Sequence, residues 1–342
     1  MVTIKDVAEK AGVSPATVSR CLNGQRIRPH LRERVLAAVK ELNYQPNYVA
    51  RSLVSEKSHL IGVVIPDISN PFFADIVRAI DDVAASRGYN TIICNTDWNL
   101  NKEKEALTLL SSRQVDGIIV APSEVAPHTS KLKLNNTPVV IMTRSSSDFD
   151  SVETDHFKGG YLVAKHFVDL GHTCFACIGG ATPSEPKYEG FRTGLADAGI
   201  SSDLVYVEDL GVHHFSLEDA YQKTVECITQ TPQRPTAIFA LNDMLAVNVV
   251  RAIEDLGLRI PEDVAVAGFD NTILASAMRP ALTSVSQANY EIGRLSTEFL
   301  LTRVDSEAAL APRQIRLEPR LVVRQSTLPL QDPSMLDSQP AG

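Results

Sequence analysis

The sequence predicts a small all-α domain at the amino end, followed by a large α/β body of two doubly wound parallel-sheet subdomains. Before residue 45, apolar residues recur at helical spacing in three short segments. After residue 59, strand-like and helix-like segments alternate, which is typical of parallel sheets covered by helices on both faces. The nine strand-like segments are LIGVVIP, TIICNT, GIIVAP, VVIMT, FACIGG, LVYVE, AIFAL, VAVAGF and LTSVS. Nine strands are too many for one sheet of ordinary size, so we expect two subdomains.

The first two helices of the small domain are predicted from their caps. Thr3 and Asp6 form a capping-box pattern, and Gly12 is placed to end the first helix. Ser14 can cap a second helix that has Pro15 at its first position. The turn between the helices is then only about three residues long, which is helix-turn-helix geometry. An ordinary helical hairpin with a polar face is the alternative interpretation.

A third helical segment runs from Pro29 to Asn43, with Leu31, Val35 and Leu42 on one face. Three such helices supply a core of minimal size. The segment that follows, YQPNYVARSL, is too short to be a stable helix by itself. We interpret it as a hinge that becomes ordered only on a partner, or else as a simple linker.

Charge is distributed unevenly along the chain. Residues 1–58 contain ten Lys/Arg and five Asp/Glu, whereas the remainder contains 23 Lys/Arg and 36 Asp/Glu. A small basic domain on an acidic body is typical of a nucleic-acid-binding module attached to a second function. The outward face of the second predicted helix carries small and hydroxyl-bearing residues and one arginine. Small residues let a helix backbone approach the major groove, where hydroxyls and arginine can reach bases or phosphates.

The segment from Thr3 to Leu53 resembles the DNA-binding head and hinge helix of the LacI–GalR family of transcriptional regulators, and the similarity continues to Ser326. The resemblance implies a homodimer on a palindromic operator, with Leu53 wedged into the central minor-groove step. One departure is the third helix, where Arg28 and Pro29 stand in place of a Ser or Asn cap, which weakens the cap by roughly 1 kcal/mol. The implied DNA-binding positions are Ser14, Pro15, Ala16, Thr17, Ser19, Arg20, Asn23, Asn47 and Leu53.

Polar and aromatic side chains follow several predicted strands of the body. In α/β sheets, ligands bind beyond the carboxyl ends of the strands. Carboxylates and amides can bind hydroxyl groups, and aromatic rings can cover the apolar face of a sugar. Alternatively, each Asp or Asn is only a helix cap or a turn residue. The residues at strand ends are Asp67, Asn70, Phe72, Phe73, Asp97, Trp98, Thr143, Arg144, Asn242, Asp243, Asp270 and Asn271.

The body resembles a periplasmic sugar-binding protein, and this resemblance adds Lys187, Phe215 and Gln287 to the effector site. Thr143 replaces an aspartate that is common in the family, and His156 replaces an asparagine, so we expect a more cationic pocket. That favours an anionic effector, such as a sugar acid or sugar phosphate, with a neutral sugar as the alternative. The expected effector-binding residues are Asp67, Asn70, Phe72, Phe73, Thr143, Arg144, Lys187, Phe215, Asn242, Asp270 and Gln287.

These patterns predict the domain organisation. We expect a helix-turn-helix DNA-binding domain (1–45), a hinge helix and linker (46–58), an effector-binding and dimerisation domain (59–330) and a disordered tail (331–342) that lacks a tetramer-forming heptad helix. The N-subdomain is expected to comprise about 59–156 and 289–316, and the C-subdomain about 157–286 and 317–328.

Other classes of protein are disfavoured. No apolar run approaches a membrane span, and the amino end lacks the apolar segment of a secretory signal, so we expect a cytoplasmic, nucleoid-associated protein without a membrane partner. Cys174 and Cys177 lie in a strand-like run and would point to opposite faces, and His213 and His214 read as a solvated loop, so we expect no metal and no cofactor.

Catalytic motifs are absent as well: the sequence contains no GxGxxG, P-loop, GxSxG or HExxH pattern. The sequence therefore predicts a ligand-controlled transcriptional repressor that is not an enzyme. The alternative is a soluble cytoplasmic sugar-binding or sugar-modifying α/β protein with an unrelated basic head.

Overall fold

The computed structural model of the chain describes residues 2–22, 26–44, 57–123, 134, 136–180, 185–209, 217–306 and 308–328. The chain divides into two compact units, residues 1–59 and residues 60–342, called the head and the body below. Among the described residues, none of the helices combines the length and apolar character needed to span a membrane. The tail from 329 onward and the His213–His214 pair lie outside the described residues.

The head contains three described helices around one small core. Thr3 and Asp6 form the predicted capping box, and Gly12, in the left-handed conformation with φ 60°, closes the first helix. Arg28 provides no side-chain cap to the third helix, and Pro29 takes its first position, as predicted. The helices are α1 (Ile4–Ala11), α2 (Pro15–Leu22) and α3 (Pro29–Glu41). The buried core residues are Val7, Ala8, Ala11, Val18, Cys21, Val35 and Ala38.

The body contains two sheets of six strands each, with apolar clusters on both faces of each sheet. The strands are β1 (Leu60–Ile65), β2 (Asn90–Asn95), β3 (Gly117–Val120), β4 (Val139–Met142), β5 (Asp150–Thr154), β6 (Phe175–Gly179), β7 (Val205–Asp209), β8 (Ala237–Ala240), β9 (Ala265–Asp270), β10 (Thr283–Ser286), β11 (Gln314–Leu317) and β12 (Arg320–Val322). The first sheet has the order β11-β5-β4-β3-β1-β2, and the second has the order β12-β10-β9-β8-β6-β7. Neighbours are parallel except β10 and β12, so the predicted fold class is confirmed.

Helices connect most of the parallel strands. They are α4 (Pro71–Ser86), α5 (Leu100–Ser112), α6 (His156–Asp169), α7 (Pro186–Asp197), α8 (Leu217–Gln230), α9 (Asp243–Asp255), α10 (Ile273–Ala277) and α11 (Asn289–Val304). The chain passes from one sheet to the other between β5 and α6, between β10 and α11, and between β11 and β12. These crossings hold the carboxyl ends of both sets of strands next to one cavity.

A buried aspartate joins two strands of the first sheet to one of the helices that cover it. Asp150, at the start of β5, is fully buried and accepts hydrogen bonds from Arg303 Nε and Nη2 at 2.8 and 2.7 Å. It also accepts bonds from Arg313 Nη2 at 2.6 Å and from the Arg313 backbone N–H at 2.7 Å. Burial opposes ionisation, but the hydrogen bonds from both arginines prevail and lower the pKa of Asp150 to about 2. The carboxylate therefore stays charged and ties α11 and β11 to β5.

Candidate functional site

The second helix of the head presents a small, polar outer face. Val18 and Cys21 are buried, so the opposite side of α2 faces outward. Ser14 Oγ accepts the backbone N–H of Thr17 at 3.2 Å and so caps the helix. Of the predicted DNA-binding residues, Ser14, Pro15, Ala16 and Arg20 are exposed, and Thr17 and Ser19 are half-buried. Asn23, Asn47 and Leu53 lie outside the described residues.

Three arginines that follow α2 in the sequence have exposed side chains. Arg26, Arg28 and Arg32 are exposed and form no ion pair within the described part of the head. Arg20 Nε donates to the Ala16 carbonyl one turn away, at 3.3 Å. Exposed guanidinium groups in the same domain as a helix with small outer residues are suited to phosphate contact.

A cavity of about 480 Å³ lies in the body at the carboxyl ends of strands from both sheets. All the described members of the predicted effector site line it: Asp67, Asn70, Phe72, Phe73, Thr143, Arg144, Lys187, Asn242, Asp270 and Gln287. Phe215 lies outside the described residues. Two strand-end residues do not line the cavity: Asp243 bonds inward to Ser284 and Thr272, and the side chain of Asn271 accepts from Arg324.

The site list made from the sequence omits several lining residues. Asp97, Trp98 and His156 line the cavity although they are not among the predicted effector-binding residues, and each lies two or three residues after the end of a strand. Pro122 and Gly180 lie within two residues of a strand end, and the same strand-end rule identifies them. Glu185, Met244 and Leu245 line the cavity from the starts of α7 and α9, where the sequence shows no distinguishing pattern.

Three aromatic side chains form one side of the cavity. The ring centroids of Phe72 and Phe73 lie 5.0 Å apart, and those of Phe73 and Trp98 lie 6.2 Å apart, both pairs edge to face. Asn70 Oδ1 accepts the Phe72 backbone N–H at 3.0 Å and caps α4. Asn242 caps α9 in the same way, through the Leu245 backbone N–H at 2.8 Å. The two asparagines are therefore both helix caps and lining residues.

Several lining residues have strained backbones. Asp97, Trp98, Thr143 and Asp270 have φ angles of 52°, 57°, 68° and 104°, in the left-handed half of the map. This conformation is a clear outlier for a β-branched residue such as Thr143. Strain of about 1–3 kcal/mol per residue persists where the surrounding structure enforces it, and it clusters at binding sites. The cluster supports the cavity as the candidate site.

A chain of polar side chains crosses one wall of the cavity. Lys187 Nζ lies 3.8 Å from Asp270 Oδ1, which also accepts Gln287 Nε2 at 2.5 Å. Gln287 Oε1 is in turn 2.8 Å from His156 Nε2. Asp270 is 4% exposed, and this burial raises its pKa above the usual range of a carboxyl group despite the nearby lysine. Burial also raises the pKa of the adjoining Asp243.

His156 does not add positive charge to the cavity, so that part of the expectation was wrong. Burial is the main cause, with the charges of Lys187 and Arg144 adding to it, and together they lower the pKa of His156 to about 3. Gln287 uses its amide N–H for Asp270, so its oxygen accepts the Nε2–H of a neutral His156. The Nδ1 atom of that tautomer is an acceptor.

We expect the substitution His156→Gln to make the protein less sensitive to acid. Between pH 6.5 and 3, the unfolded chain binds a proton at His156 that the folded chain does not, so the parent loses stability as pH falls. Glutamine keeps an N–H donor and does not titrate. Urea unfolding at pH 7 and pH 5 measures the free energy of unfolding, and from pH 7 to pH 5 the parent should lose roughly 2 kcal/mol more than the variant. A difference that is constant with pH would contradict the neutral histidine.

Comparison with known proteins agrees with both parts of the chain. The family model described as bacterial regulatory proteins, lacI family, matches residues 3–47, and that of a periplasmic binding protein-like domain matches residues 164–327. Catabolite control protein A of Priestia megaterium is 37% identical over 335 residues, which are 95% of this chain and 99% of that protein.

Solved structures show the same relationship. The Lac repressor dimer bound to operator and the anti-inducer ONPF is 30% identical, with a TM-score of 0.81 over 96% of this chain and 99% of that one. A LacI-family regulator from Enterococcus faecium with bound ribose is 35% identical, with a TM-score of 0.70 over 80% of this chain and 100% of that one. These similar proteins are transcriptional regulators, not enzymes. The chain therefore belongs to the LacI family of bacterial regulatory proteins.

Proposed function

We propose that the protein is a transcriptional repressor, without enzymatic activity, that binds a palindromic operator as a homodimer and is controlled by a small carbohydrate. The observation that carries this proposal is the union in one chain of a helix-turn-helix head with a cavity lined by the predicted effector residues. The similar Lac repressor dimer is bound to operator, and the similar Enterococcus regulator binds ribose. Such a repressor acts in the cytoplasm, on the nucleoid.

In the operator complex, α2 enters the major groove with its outer face toward the bases. Pro15 and Ala16 read bases, and Ser14, Thr17, Ser19, Arg20 and Asn23 contact phosphates and bases. Asn47 caps the hinge, and the two copies of Leu53 unstack a central base step, which costs a few kcal/mol and allows more protein contact. The basic head makes this binding strongly dependent on salt.

Control by the effector follows from the position of the cavity. Its lining comes from strands of both sheets, so a ligand contacts both subdomains and its affinity depends on their relative position. β1 begins at Leu60, directly after the proposed hinge, so movement of the first sheet displaces that segment. A ligand that prefers one position shifts the equilibrium by its difference in affinity, with a coupling free energy typically of about 1–3 kcal/mol.

The effector that we propose is a carbohydrate with an acidic group, either a sugar acid or a sugar phosphate. The aromatic side suits the apolar face of a sugar, and Asp67 and Asp97 supply acceptors for hydroxyl groups. Arg144 and Lys187 supply positive charge at the same cavity. A pocket of about 480 Å³ is within the usual size range for ligands of this size.

Gluconate-like acids are expected to stabilise the folded protein more than the neutral aldoses of the same carbon skeleton. A ligand at one hundred times its dissociation constant adds about 2.7 kcal/mol to the free energy of unfolding. Thermal unfolding with a panel of aldonic acids, sugar phosphates and aldoses measures the difference. A panel in which the neutral aldoses raise the melting temperature most would end the proposal of an anionic effector, and a neutral sugar would take its place.

A further inference from the structure

The two cations of the cavity have different surroundings. The Lys187 ammonium donates to the Leu241 carbonyl at 3.1 Å, lies 3.8 Å from the Asp270 carboxylate and sits 4.2 Å from the centre of the Phe269 ring. Its side chain is only 16% exposed. A carbonyl oxygen and a ring face both interact favourably with an ammonium, and the Asp270 carboxylate does so when it is ionised, so the ammonium of Lys187 already has partners within the protein.

Arg144 differs in this respect. It is half-buried, lines the cavity two residues after β4, and has no carboxylate within 4.0 Å in the part of the chain that the structure describes. The carboxylates nearby are engaged elsewhere. Asp97 pairs with Lys102 at 2.5 Å, and Asp67 accepts the hydroxyl and backbone N–H of Ser69 at 2.6 and 2.8 Å. A guanidinium without an anion at the wall of a cavity is a binding group for an anion.

The other charges at the cavity limit what this anion can be. The charge of Asp97 is compensated by Lys102, but Asp67 and Glu185 also line the cavity and have no cation within 4.0 Å among the described residues, so a ligand with two negative charges would face these two carboxylates with one open cation. A carboxylate carries one charge, and its two oxygens match two parallel guanidinium N–H groups. A phosphate dianion has a greater charge and a third oxygen that no second open cation among the described lining residues would bind.

We propose that the effector is a sugar carboxylate, that Arg144 binds its carboxylate group, and that Lys187 instead positions Asp270 in the wall. This inference rests on the proposed function, because it takes the cavity to be the effector site. One side chain, Arg144, then discriminates between a sugar acid and a neutral sugar. Lys187 does not share this role, although the sequence alone predicts both cations to be effector-binding residues.

The test is calorimetric titration of the full chain with D-gluconate, D-galactonate and D-ribonate. The amide of each acid has nearly the same shape without the charge and serves as the matched ligand, and the 6-phosphates of glucose and galactose and the 5-phosphate of ribose complete the panel. In the parent, at least one acid should bind about tenfold more tightly than its amide and more tightly than the phosphate. Arg144→Gln should remove most of this ratio, and Lys187→Met should weaken acid and amide by a similar factor.

Arg144→Lys gives a second measurement should the glutamine variant fail to fold. It keeps the charge but loses the two-pronged geometry, so an intermediate ratio of acid to amide is expected. An unchanged ratio in Arg144→Gln, or a ratio lost only in Lys187→Met, overturns the inference while leaving the proposed function intact. Tighter binding of the sugar phosphates than of the sugar acids also overturns the inference and leaves the proposed function intact. Failure of every acid, amide, phosphate and neutral aldose to bind overturns the proposed function and the inference together.

Discussion

A chain that lacks residues 1–58 is expected to lose operator binding and to keep effector binding. The buried core of the head lies wholly within residues 7–38, and the four apolar clusters of the body contain no residue before Ile61. Removal of residues 1–58 therefore takes none of the described side chains from the body's core. Specific binding commonly exceeds non-specific binding by 10³-fold or more, so the loss of operator affinity should be at least about 10³-fold.

The operator is first recovered by selection with the full chain. Fluorescence anisotropy with this labelled operator then measures the loss of DNA affinity, and calorimetry measures the affinity that the truncated chain keeps for the effector. Arg20→Ala in the full chain is the milder companion variant, because it removes one proposed contact and leaves the fold of the head intact. A truncated chain that binds the operator as tightly as the parent would show that the head is not the DNA-binding domain. That result would favour the alternative of a sugar-binding protein with an unrelated basic head.

Asp150→Ala is expected to destabilise the body by about 3 kcal/mol, because it leaves two arginines facing each other without a counter-ion. The side chains of Arg303 and Arg313 are 19% and 36% exposed, so water offsets part of the cost. The backbone N–H of Arg313 also loses its acceptor. Urea unfolding at pH 7 measures the change in the free energy of unfolding.

The control for this variant is Asp169→Ala on α6. Asp169 pairs with Lys165 at 3.5 Å, and both side chains are more than 60% exposed. A surface pair of this kind contributes roughly 0.5 kcal/mol or less, because solvent screens it. Equal effects of the two substitutions would mean that the buried ion pair has no special role in holding the first sheet together.

The sequence was sufficient for the strands whose burial is continuous. All nine predicted strands form. Seven of them are buried along nearly their whole length and read as apolar runs, whereas β2 and β7 lie at the edges of the sheets and are not buried. The three missed strands lack that signal. β5 begins with the charged Asp150, whose partners are 153 and 163 residues away in the chain. β11 exposes alternate residues, and β12 has only three residues, so neither stands out from a loop.

The location of the candidate site was more predictable than its electrostatics. Strand-end positions converge by topology, so a list read along the chain identified side chains that share one cavity. Charge states depend on neighbours from distant segments. Gln287, 131 residues beyond His156, determines which nitrogen of that ring carries the proton, and Asp270 lies 3.8 Å from Lys187. No periodicity or motif in the sequence reports such pairs.

The central claim is that one chain both reads a palindromic duplex and senses a small molecule. The most direct test is selection of bound sequences from a random duplex pool by the full chain, followed by titration of the selected site with and without the ligand panel. We expect enrichment of a two-fold symmetric site and a change in its affinity of at least about fivefold with one carbohydrate. A pool that shows no enrichment, or a site whose affinity no ligand changes although a ligand binds, would contradict the central claim.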